Sequence, residues 1–217
     1  ANGQGFWGDS IDAPYNLVKY GKIDYLTLDY LAEVTLSIMQ RQKIKNPNKG
    51  YATDFIDLMK RIMFDIKQKK IKIVTNAGGV NPEVCKKELL NLAKELNVDI
   101  KISIIKGDDI LHDIDNLISK GVKFDNMDDS SSFKNIKNKV YSANAYIDSF
   151  SIAKALETGA DIILAGRVSD PGLVVGPAIY EFGWKKDDYD KLATATLAGH
   201  VIECGAQCSG GNFSKWD

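Results

Sequence analysis

Four short apolar runs rich in β-branched residues punctuate the chain, at residues 23–28, 71–75, 100–105 and 161–165, each bounded by Gly, Asn or Asp. Runs of that length and punctuation predict buried strands. Between them, apolar residues recur at helical spacing: Leu31, Val34 and Ile38, then Phe55, Leu58, Met59 and Ile62, then Leu89, Leu90, Ala93 and Leu96. A further helix is expected over residues 189–208, with Leu192, Thr196, Gly199 and Glu203 on one side and Ala195, Leu197 and Val201 on another. Strand followed by helix, repeated without hairpin turns, predicts a layered α/β fold, a mostly parallel sheet with helices on both faces. The alternative is part of a β/α barrel, but four units and a presumed missing first strand fall short of the eight that a barrel needs. The opening segment ANGQGFWGDS reads as a turn with no strand in front of it. Residues 121–146, rich in Asp, Asn, Ser and Lys, read as an irregular excursion from a single α/β domain over residues 1–217.

Composition adds exclusions. With 217 residues, 44% of them hydrophobic and 26% charged, the chain is an ordinary globular sequence, neither disordered nor fibrous. Lys and Arg number 28 against 29 Asp and Glu, a net charge of -1, so nothing steers the chain toward nucleic acid or an anionic membrane. Its apolar runs break well before the roughly eighteen residues of a membrane span. Three cysteines without a secretory signal fit a reducing compartment, so the cytoplasm is expected, or the mitochondrial matrix in a eukaryote. Cys204 and Cys208 lack the spacing and partners of a zinc site, and no metal site is predicted.

Ligands of open α/β sheets gather at the carboxyl ends of the strands, so the residues that follow each strand are where chemistry is sought. In GQGFWGDS, Gly3, Gly5 and Trp7 suit a loop over a flat or acyl ligand and Asp9 closes it; equally, the loop is a glycine turn that buries Trp7. The next run is followed by Asp29 and Glu33. In TNAGGVNP, Asn76, Gly78 and Gly79 lead to Asn81 as N-cap and Pro82 as first helical residue, which builds a helix N-terminus suited to a phosphate or carboxylate, or simply a tight, capped turn. Asp108 and Asp109 are candidate Mg²⁺ ligands or a helix cap. Arg167 is placed to grip an anion with two parallel hydrogen bonds, unless Asp170 claims it as a structural clip. His200, Glu203 and Cys204, spaced to share a helix face, are a candidate base and nucleophile or plain packing residues.

The segments GFWGDSIDAP, LDYLAEVTLSI, GYATDF, TNAGGVNP, ANAY, GADIILAGRVSDPGL, EFGW and LAGHVIECGAQCSGGNF, in this order, resemble the N-terminal domain of the acyclic terpene utilisation protein A family (AtuA). The resemblance implies a role in catabolism of branched or terpenoid acids as coenzyme A thioesters, in the company of biotin-dependent carboxylase subunits. It implies an enzyme of lyase, hydratase or hydrolase type acting on a branched, 3-hydroxylated, dicarboxylic acyl-CoA, with Mg²⁺ left open. The Gly78–Gly79 helix end and Arg167 would then hold its anionic groups, and Asp9, Asp29, Glu33 or His200 would transfer protons. A non-catalytic acyl-CoA-binding or scaffolding subunit that docks to a carboxylase is the alternative. A homo-oligomer is a further expectation, as is truncation at both ends, because relatives continue past GGNF.

Overall fold

The structure, a computed structural model, describes residues 1–205. Five parallel strands form one sheet in the order β1-β2-β3-β5-β4: β1 (Asn2–Gln4), β2 (Tyr25–Leu28), β3 (Lys72–Thr75), β4 (Ile102–Ile105) and β5 (Ile162–Ala165). The helices are α1 (Asp12–Tyr20), α2 (Glu33–Lys45), α3 (Thr53–Lys69), α4 (Pro82–Glu95), α5 (Ile114–Ser119), α6 (Ser149–Leu156), α7 (Gly172–Phe182) and α8 (Tyr189–Ile202). The sheet is open, with β1 and β4 at its edges, so the barrel alternative falls and the layered α/β fold stands.

The four predicted strands form. Parallel strands covered on both faces are apolar on both, which is why these runs carried the signal. Leu26, Leu28, Ile73, Ile162 and Leu164 face one core with Val18 of α1, Phe55, Leu58, Met59 and Ile62 of α3, and Leu89 of α4. Val74, Ile163 and Ala165 alternate onto the other face, against Ile152 and Leu156 of α6 and Leu173 of α7. The α3 residues named are fully buried, and each such side chain contributes roughly 1.5–3 kcal/mol. Right-handed crossovers explain the layering, since β1, β2 and β3 step one way across the sheet while β4 to β5 steps back.

Three expectations are corrected. The opening segment does contain a strand, because three residues suffice when the neighbour supplies the ladder: Thr27 N donates to Ala1 O at 2.9 Å and Asp29 N to Gln4 O at 3.0 Å. Helix α2 is turned about its axis relative to the expectation, exposing Val34 and Ile38 and burying Leu36 and Met39. Helix α8 ends at Ile202, exposes Leu197 and Val201, and buries Gly199 against Pro171; Cys208 lies outside the described residues.

The excursion over residues 121–146 carries only two single turns, at Phe133–Asn135 and Lys137–Lys139, before the chain returns to the sheet. It returns by pairing. Asn144 bridges Asp109, and Ile147 bridges Val168, so residues 143–147 are stitched between the ends of β4 and β5.

Candidate functional site

Adjacent strands β3 and β5 send the chain to opposite faces, into α4 and α7, so the sheet has its topological switch point at their carboxyl ends. Beside it, a cavity of about 270 Å³ is lined by Gly5 and Phe6 after β1, residues 29–33 and Thr35 around the start of α2, Tyr146 on the returning segment, Arg167 and Asp170 after β5, and Glu203 and Cys204 after α8. Gly5, Asp29, Glu33, Arg167 and Asp170 are thus brought together from three separate segments.

Asp29 is the buried acid of this cavity, 4% exposed. Its Oδ1 accepts hydrogen bonds from Asn76 Nδ2 at 2.6 Å and Leu31 N at 3.0 Å. Asn76 Oδ1 in turn accepts Tyr30 N at 2.7 Å, so the Asn76 amide fixes the orientation of the Asp29 carboxyl. Among the described residues Oδ2 makes no hydrogen bond, which leaves it as the oxygen turned to the cavity that Asp29 lines. Burial pushes the Asp29 carboxyl up to about 6, against the opposing pull of those two hydrogen bonds and the Arg167 charge.

Arg167 is the buried cation, its side chain 4% exposed. Its Nη1 donates to Leu31 O at 2.8 Å and Val168 O at 3.1 Å, and its Nη2 to Tyr146 Oη at 3.2 Å and Asp170 Oδ1 at 2.8 Å. Only the buried Nε lacks a partner among the described residues. Four of five N–H groups are therefore taken, so the clip with Asp170 is realised and the two-pronged grip on a ligand is not available. The guanidinium lies 4.4 Å from the centre of the Tyr146 ring. Tyr146 Oη donates to Glu33 Oε1 at 2.6 Å, a bond that holds the Glu33 carboxyl below its ordinary range.

Asp108, buried at the end of β4, supports this arrangement from behind. Its Oδ2 accepts Arg167 N at 2.9 Å and Asn144 Nδ2 at 3.0 Å, and its carbonyl accepts Ala145 N at 2.7 Å. A side chain at position 166 would collide with that carboxylate, so Gly166 is what lets Asp108 reach the β5 loop. Burial pushes the Asp108 carboxyl up as well.

The other predicted residues lie elsewhere. Asp9 closes the β1 loop through Gly5 N and Ser10 N and does not line the cavity. Trp7 is partly buried against the core, while Gly3 packs under Pro14 of α1. Gly78 packs against the Ala165 carbonyl and Gly79 against Met39 and Gly50. Asn81 does not cap α4 with its side chain; its Nδ2 donates to Pro47 O and Lys49 O, both at 2.8 Å, and ties down the loop before α3. The start of α4 instead borders a separate cavity of about 490 Å³ with Lys43, Lys106, Glu83 and Asp108. His200 is exposed and outside the site cavity, although its expected companions Glu203 and Cys204 line it, with Cys204 Sγ 2.9 Å from Glu203 Oε1. Tyr146 and Thr35 escaped residue-level reading, although ANAY stood among the segments that carried the resemblance.

Among the described residues no group of three or more His, Cys, Asp or Glu side chains is arranged to hold a metal ion, and no helix is long and apolar enough to cross a membrane. The family model described as "Acyclic terpene utilisation family protein AtuA" matches residues 1–217. No curated protein and no solved structure gives a significant match.

Proposed function

Because the chain belongs to the acyclic terpene utilisation family AtuA, we propose that its cavity is the acid–base site of an enzyme acting on a branched acyl-CoA, of hydratase type, adding or removing water at a branched carbon. One observation carries the reading: a buried carboxyl, Asp29, with one oxygen fixed by Asn76 and Leu31 and the other open to a cavity, poised at about 6. General acid–base catalysis works best when the group titrates near the operating pH, because both protonation states are then populated.

In the dehydration direction, the Asp29 carboxylic acid gives its proton from Oδ2 to the hydroxyl on the branched carbon. The C–O bond breaks and its electron pair leaves with water; the neighbouring C–H proton passes to the Asp29 carboxylate left behind while the C–H electron pair forms the C=C bond, so the residue ends as it began. Positive charge that develops on a tertiary carbon in that step is favoured by the surrounding Glu33, Asp170 and Glu203 carboxylates. Arg167 does not touch the reacting atoms in this scheme; it holds the Leu31 and Val168 carbonyls and the Tyr146 ring in place.

The test is hydration of a branched 2-enoyl-CoA series in H₂¹⁸O, followed by mass spectrometry of the product. Wild-type protein is expected to add labelled oxygen, and Asp29→Asn to slow this by about a hundredfold or more, the usual worth of a positioned acid–base group, while binding is kept. Equal rates in the two proteins would overturn the role of Asp29. Binding with no label incorporated at all would replace the enzyme with an acyl-CoA-binding subunit.

A further inference from the structure

The charge balance of the cavity runs against the dicarboxylic substrate that the family resemblance implies. Four carboxyl groups line it, Asp29, Glu33, Asp170 and Glu203, against the single guanidinium of Arg167. That guanidinium is already matched by Asp170 at 2.8 Å and lies 3.7 Å from Glu33. Its one unengaged N–H, at Nε, is itself buried.

Four of the backbone donors that border the cavity are engaged too. The N–H groups of Tyr30, Leu31 and Ala32, which border the cavity at the start of α2, go to Asn76 Oδ1, Asp29 Oδ1 and Thr35 Oγ1. Gly5 N goes to Asp9 Oδ2 at 3.3 Å. Helix α2 directs its N-terminus toward the cavity, but Glu33 in its first turn offsets that partial charge. Phe6, Leu31, Ala32 and the Tyr146 ring give the wall its apolar part.

Resting on the enzyme reading above, we propose that the cavity selects an uncharged acyl tail and rejects one that ends in a carboxylate. An incoming carboxylate would lose its water, find no unmatched cation to replace it, and sit among carboxylates. Like charges brought together at a binding surface cost several kcal/mol, whereas an uncharged branched tail loses nothing polar and gains the apolar wall. Glu33 and Glu203 are the residues that set this selectivity, since Asp170 is neutralised by Arg167 and Asp29 is the acid–base group.

Isothermal titration calorimetry at pH 7.5 with two thioesters tests this: 3-methylpentanoyl-CoA and 3-methylpentanedioyl-CoA, which differ by a terminal carboxylate in place of a methyl. Saturated tails cannot be hydrated, so binding is read without turnover. The uncharged thioester is expected to bind at least about tenfold more tightly. The double variant Glu33→Gln, Glu203→Gln is expected to narrow that gap by improving the dicarboxylic ligand selectively. Equal or tighter binding of the dicarboxylic thioester overturns the selectivity and leaves the enzyme reading standing. An unchanged gap in the double variant also overturns it, because the preference would then come from shape. Failure of both thioesters to bind overturns the acyl-CoA reading itself.

Discussion

Replacing Asp29 by Asn should make the protein more stable, although the change removes the residue proposed to act. In the folded chain this carboxyl is pushed from 3.8 to about 6 by burial. The native state therefore binds more protons than the unfolded state between those two values, so stability falls as pH rises through that window and stays lowered above it. With 1.36 kcal/mol for each pH unit, ionised Asp29 destabilises the fold by about 3 kcal/mol at pH 7.5. An Asn side chain keeps an acceptor for Asn76 Nδ2 and Leu31 N and turns its amide to the cavity, so it mimics the neutral acid. The variant should gain about 3 kcal/mol at pH 7.5, a rise of roughly 6–12 °C in Tm for a domain of this size. That advantage should shrink to a small fraction by about pH 4 and vanish below about pH 3, where wild-type Asp29 is protonated in both states. Urea unfolding of both proteins from pH 4 to 8 measures it, and the difference between them removes the titration of all other carboxyls. A variant less stable than wild type at pH 7.5, or a difference that does not change with pH, would refute the reasoning.

Arg167→Ala should be among the most harmful single changes, costing about 3–5 kcal/mol, because it strands the Leu31 and Val168 carbonyls and unpairs Asp170; chemical denaturation would show it, and a loss under 1 kcal/mol would contradict the clip. Gly5→Ala should cost about 1–3 kcal/mol, since the added methyl meets the Cys204 backbone, and hydrogen exchange should show residues 202–205 loosened while β3 and β5 keep their protection.

The parts of the fold that were readable in the sequence are those whose cause is local. Residues 71–75 and 161–165 announce themselves because a strand buried on both faces has to be apolar throughout. Helix α2 was recognisable as a helix but not in its facing, because Leu31, Val34 and Ile38 offer as good a stripe as Leu36 and Met39. Only burial of Leu36 and Met39 in the larger core, with Met39 against Gly50 and Gly79, decides between them. Strand β1 has three residues, one of them a glycine, and it exists through the ladder that β2 provides. The same division runs through the site. Asp29 and Arg167 were found because position after a strand is a strong cue, and the Asp170 clip was visible as an i,i+3 pair. The Asn81 side chain was read as a cap because the local pattern favours it, whereas its partners lie more than thirty residues away at Pro47 and Lys49. Tyr146 was invisible for a similar reason. It sits in a polar stretch without periodicity and is delivered by Asp108 and Arg167, which bond the segment on either side of it.

The contact between Gly5 and Cys204 also bears on the order in which the molecule assembles. Strand β1 and the turn after α8 are about two hundred residues apart, and Asn2 Nδ2 bonds to the carbonyls of Ile202 and Glu203 across that separation. Such a closure carries a large loop entropy and is rewarded only once the sheet between the two segments exists. The Phe6 and Cys204 wall is therefore expected to be the last part of the cavity to form and the first to open. A chain can hold its β2-β3-β5-β4 core intact while the Asp29 cavity stands open on that side, which separates the protein's folding from the completion of that cavity.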